Sequence, residues 1–144
     1  MDIYQTLDLI KTKLEEGNTN SGDLLYGVNI LDDPYADFTR SIPLILLEGE
    51  KTEFLNSAQG IVVSQEHLIT LSCIVSAQNF AFSNFKSAVN NLARNAINKM
   101  NSITDYKIQK IIPAELAHSE IMLGSLKTTA VIISVKVQTY WEDD

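Results

Sequence analysis

Apolar residues near the start of the chain recur at Ile3, Leu7, Ile10 and Leu14, in steps of three and four. That spacing places them on one stripe of a helix, while Asp2, Asp8, Lys11, Thr12 and Glu15 fall mostly on the remaining surface. The pattern predicts a helix over about residues 2–16, stopped by Gly17 and the turn-rich stretch GNTNSGD. A second and longer run, Phe82, Phe85, Val89, Leu92, Ala96, Met100 and Ile103, keeps the same steps. Lys86, Asn90, Arg94, Asn98 and Asn101 mark its opposite face. It predicts a helix over about residues 80–102, with Asn79 as its cap.

The strands read differently. Residues 42–48, IPLILLE, are apolar on both faces, so this strand should be covered on both sides, by helices or by a partner chain. Its leading proline suits the first strand position. From about Ile61 to Ser76 the odd positions are mostly apolar and the even ones polar, the period of a strand with one buried face. Residues 49–60 between these two strands are polar and read as a loop or a hairpin extension. Tyr106 to Ile112 predicts a strand ended by Pro113, followed by an irregular stretch over 113–126 with room for one helical turn. A β-branched strand over about Lys127 to Trp141 closes the pattern. Val28 to Leu31 fits a short strand, with a turn at Asp32-Asp33-Pro34.

This order, helix, strands, long helix, strands, lacks βαβ alternation. It predicts a single α+β domain over 1–144. The expected architecture is an antiparallel or mixed β-sheet of about four to five strands with two α-helices packed on one face.

Charge adds a second pattern. The formal net charge is −7, a poor match for tight nucleic-acid binding. Residues 1–60 carry 11 acids and 4 bases, whereas residues 86–136 carry 7 bases and 3 acids. Either the charges simply keep the chain soluble, or the acidic side of one copy meets the basic side of another. The single cysteine, Cys73, suits a reducing compartment and cannot close an internal disulfide. The acidic amphipathic N-terminal stretch is not expected to be a signal peptide, and no apolar run has the length of a membrane span.

Reactive chemistry is sparse. His67 falls on the apolar side of a strand, and His118 lies among Glu115 and Glu120 without a nucleophile signature. Glu48-Gly49-Glu50-Lys51-Thr52 lacks the glycine before lysine that a phosphate-binding loop requires. Asp32, Asp33 and Asp37 lack the glycine turn and distal glutamate of a calcium loop. Phe80, Phe82 and Phe85 match helix-face core spacing better than a base-stacking platform. No catalytic centre, cofactor or metal is expected.

The succession of elements offers a further guide. It comprises the short first helix, Ile42-Pro43-Leu44-Ile45-Leu46, the polar insertion 49–60, the long strand 61–76, the aromatic-headed helix 80–102 and the final strand ending in Thr139-Tyr140-Trp141. This succession resembles the tail terminator, tail-completion or head–tail joining proteins of long-tailed bacteriophages. The resemblance covers most of the chain and is one of pattern and length. It implies a structural virion protein, assembled in the host cytoplasm, that forms a homo-oligomeric ring. The ring would typically be a hexamer that caps the tail tube and joins it to the neck. Double-stranded DNA would pass through its lumen without specific binding.

A ring needs two unlike patches that meet head to tail. Glu48, Glu50, Lys51, Glu53, Phe54, Leu55, Lys86 and Arg94 are the expected interface residues. The alternatives are another neck or tail-tube structural protein, an adaptor domain, or a small α+β enzyme or ligand-binding domain centred on His67 or His118.

Overall fold

A computed structural model describes residues 1–33, 43–75, 82–123 and 126–141. The elements are helix α1 (Ile3–Glu15), strands β1 (Asn29–Leu31), β2 (Leu44–Asn56) and β3 (Val62–Ile74), helix α2 (Phe82–Asn101), and strands β4 (Ile108–Leu123) and β5 (Leu126–Tyr140). The strands form one mixed sheet in the order β1-β2-β3-β5-β4. Only β1 and β2 run parallel; every other neighbouring pair is antiparallel. Both helices pack on one face, giving the α+β class that the pattern predicts. Helix α1 lies over β1 and β2, and α2 lies mainly over β5.

Helix α1 begins with a capping box. The Asp2 carboxylate accepts from the Gln5 backbone N–H at 2.8 Å, and the Gln5 side chain accepts from the Asp2 N–H at 2.9 Å. Its stripe buries Leu7, Ile10 and Leu14 against Ile45, Leu47, Ile69 and Leu71 of the sheet and Val89, Leu92 and Met100 of α2. Where α1 crosses β2 the strand carries Gly49. A Cβ there would lie 2.8 Å from Ile3 Cδ1, too close for any side chain without a shift.

Strand β2 is longer than its apolar head. Residues 49–56 continue it as a hairpin with β3, so the polar insertion is strand and not loop. The turn at 57–61 is closed by Ser57 N–H to the Ile61 carbonyl at 2.7 Å, with Gly60 at φ +78. Between Gly49 and Lys51 the ladder slips by one residue, a β-bulge that leaves Glu50 without an opposite residue on β3. Before it, Ile45 and Leu47 face the helices; after it, Thr52 and Phe54 do.

Leu44 to Leu47 are all buried, as a doubly apolar strand predicts. Leu44 and Leu46 join Ile74 and Ala130 in a second cluster on the face away from the helices. In β3, His67, Ile69, Leu71 and Cys73 are fully buried on the helix face. The same alternation fails at Ile61 and Val63, which are 65% and 50% exposed because they lie at the end of the hairpin.

The largest difference from the sequence reading concerns β4. It does not stop at Pro113 but runs on to Leu123, pairing with β5 throughout. Proline is tolerated because β4 is an edge strand and the ladder slips between Pro113 and Glu115. The irregular segment 113–126 is therefore mostly one arm of a hairpin. Asn79, Phe80, Ser76 and Asp37 lie outside the described residues, as do the side chains of Phe82 and Phe85.

Candidate functional site

The two histidines do not converge. His67 faces Val137 of β5, and His118 faces Val131 of the same strand. Six residues of strand separate them, about 20 Å along its axis. His67 is fully buried and engaged: Nδ1 lies 2.8 Å from Thr52 Oγ1, and Nε2 lies 2.9 Å from the Met1 carbonyl oxygen. The carbonyl can only accept, so Nε2 carries the proton and Nδ1 accepts from the threonine. Gln65 Nε2 and Thr139 Oγ1 donate to the same carbonyl at 2.6 and 3.2 Å. Burial pushes the imidazole below its ordinary pKa, against the opposing pull of the Met1 bond. This is a structural clasp between the sheet and the start of α1.

His118 is exposed on β4. It lines a hollow of about 410 Å³ between α2 and β4, together with Lys86, Val89, Asn90, Ser119, Glu120 and Thr129. Cys73 is buried, and its thiol is pushed up to about 12 by that burial, which leaves no thiolate at neutral pH. Glu48 to Thr52 lie in strand β2, whose extended backbone does not curl into a phosphate-binding loop. Asp32 pairs with Lys11 at 3.3 Å. Among the described residues no group of three or more His, Cys, Asp or Glu could hold a metal ion.

The expected interface residues divide among several surfaces. Glu48, Glu50, Lys51 and Glu53 project from β2 on the face away from the helices, where Glu50 accepts from Thr70 Oγ1 at 3.2 Å. Leu55 shares that face and is half-buried. Phe54 projects on the helix face and meets Trp141 edge-on, with ring centroids 5.7 Å apart at 88°. Both rings stay about half exposed, beside Val63. Lys86 and Arg94 are exposed on α2.

The ion pairs of Lys51 and Lys136, on β2, β3 and β5, do not join the acidic 1–60 region to the basic 86–136 region. Lys51 and Glu53 bond to each other at 2.9 Å, which raises the lysine pKa and lowers that of the glutamate. Lys136 reaches Glu66 at 3.9 Å. The signs are divided between the sides only in part, since Glu120 of β4 shares a hollow with Lys86 and Asp32 pairs with Lys11. Helix α2 carries Lys86, Arg94 and Lys99 and no acid, and lies over the β5–β4 side of the sheet. Asp8 of α1, with Asp32, Asp33, Glu48 and Glu50, lies on the β1–β2 side.

Sequence reasoning did not reach two features of these sides. One is a hollow of about 240 Å³ between α1 and the free border of β2, lined by Tyr4, Leu7, Asp8, Asp32, Leu47, Glu48 and Gly49. The other is Leu116 on β4, 42% exposed. Both depend on strand pairings that no local pattern encodes. No family model and no curated protein matches the chain. No helix among the described residues is long and apolar enough to cross a membrane.

Proposed function

We propose that this chain is the subunit of a closed homo-oligomeric ring of the phage tail-terminator kind, one that caps a tail tube and joins it to the neck. The observation that carries this reading is the placement of the two helices over opposite halves of one sheet. Acid-free α2 stands on the β4 side, and the carboxylates of α1, β1 and β2 stand on the other. Unlike sides on one subunit are what a head-to-tail ring requires, and their attraction orients the encounter.

The face away from the helices supports the passage of DNA through such a ring. There Glu48, Glu50, Glu53, Glu66 and Glu115 outnumber Lys51, Lys110 and Lys136 among the described residues. A lumen lined by this face repels phosphate and forgoes the counterion release that drives binding, whereas one lined by α2 would hold DNA.

Size-exclusion chromatography with light scattering, and native mass spectrometry, test the reading. A hexamer of the 16.0 kDa subunit is the expected species, alone or on addition of tail-tube protein. A strict monomer at high concentration under both conditions removes it.

A second reading, ligand binding, rests on the hollow that His118 lines with Lys86 and Glu120. Chemical-shift changes confined to His118 and Lys86 on titration with small carboxylates would favour it over assembly.

A further inference from the structure

Pairing within the molecule uses up only some of its charges. Lys11 meets Asp32, Lys13 meets Glu16, Lys51 meets Glu53 and Lys136 meets Glu66. In the helix layer, Asp8 and Glu15 of α1 and Arg94 of α2 are exposed and make no ion pair among the described residues. Lys99 of α2 lies half-buried beside Gly17, on the flank that faces α1. Lys86 and Glu120 are already engaged within the chain.

The unpaired charges stand on outer flanks. Tyr4 and Asp8 line the hollow between α1 and the free border of β2, which marks the flank of α1 turned away from α2. Glu15 follows Asp8 by two helical turns, which keeps it on the same stripe about 10 Å further along. On α2, Asn90 lines the hollow beside β4, whereas Asn95 donates to the Leu24 carbonyl at 3.1 Å on the opposite flank. Arg94 lies one turn on from Asn90, on the shoulder of α2 toward β4.

The surface around Arg94 is also of an uncommon kind. Ser87, Asn90, Asn91, Asn98 and Asn101 are exposed there, and no carboxylate stands among them. Asparagine forms helix less readily than Lys, Glu or Gln, the usual cover of a solvated helix. It offers donors and an acceptor on a short stem, which suits close contact with another polar surface.

We propose that α2 of one copy packs against α1 of the next, with Arg94 set between Asp8 and Glu15 and the asparagines bonding across the seam. This rests on the ring reading and names the contact that closes the ring. The occupant is a second copy because one chain carries both signs, unpaired, on opposite flanks of its helix layer. The contact needs no pairing of strands between copies, so β1 keeps its place beside Leu44 to Leu46.

Charge reversal in two halves tests the seam, read by size-exclusion chromatography with light scattering. Arg94→Glu sets like charges against each other, and so does Asp8→Arg combined with Glu15→Arg. Each form should associate about tenfold more weakly or worse, with the circular dichroism spectrum and melting temperature of the subunit unchanged. An equimolar mixture of the two should recover the assembly, because every seam of an alternating ring then joins unlike charges. Reversed forms that assemble as well as the wild type overturn the contact and leave the ring reading standing. Reversed forms that fail alone and stay apart when mixed overturn the pairing of Arg94 with these two carboxylates. A wild type that stays monomeric, alone and with tail-tube protein, overturns both the contact and the ring.

Discussion

The imidazole of His67, sealed inside the sheet, holds the carbonyl of Met1 at 2.9 Å and so fixes the first residue of the chain to the middle of its third strand. Its folded pKa lies below the ordinary value of about 6.5. Above that value both folded and unfolded chains keep the ring neutral, and the clasp contributes fully. As pH falls through it, the unfolded chain takes up a proton before the folded one, and stability drops until the folded pKa is passed. Urea midpoints should therefore fall between pH 7 and pH 5, and His67→Leu should flatten that part of the profile. An equal slope in the variant would assign the pH dependence elsewhere.

Replacing Gly49 by valine should destabilise the fold by about 1–3 kcal/mol, because the new side chain meets Ile3 of α1. Ile3→Ala made in the same chain should recover part of the loss. Additive costs in the double-mutant cycle would mean that the two sites do not meet.

Cys73 should resist thiol reagents at pH 8 in the native protein and react at once in denaturant, since its thiol is buried and pushed up to about 12. Labelling in native buffer at the rate of a free thiol would contradict its placement in the core.

Trp141 reports on the exposed end of the hairpin. Phe54→Ala should shift its fluorescence to the red and cost no more than about 1.5 kcal/mol, the scale of one aromatic pair. A blue shift would show that the ring gains cover when its neighbour is removed.

Much of the fold was legible because its signals are local. The stripes of α1 and α2 and the alternation of β3 each repeat within a few residues, and burial follows them. Strand β4 was not legible beyond Pro113, since the position of a strand at the sheet edge, which makes proline acceptable there, is a property of the assembled sheet. Ile61 and Val63 carried the right alternation but stand past the cover of the helices. The clasp on Met1 joins residues 66 and 138 positions apart, a separation that no pattern bridges. Charge was legible in amount and only partly in position. Lys51 and Glu53, two expected contact residues, pair with each other, while the separation of α2 from α1 becomes a division of sides only once both helices lie on the same sheet.

Glu50 has no counterpart across the ladder, and that gives β2 a place where its length is negotiable. Removing this residue would leave Gly49 opposite Ile69 and Lys51 opposite Leu68, with every neighbour still pointing the way it does now. The same excision at Ile45 or Thr52 would turn the rest of the ribbon over, sending core side chains into water and glutamates inward. A one-residue deletion at Glu50 is thus absorbed without turning the strand over.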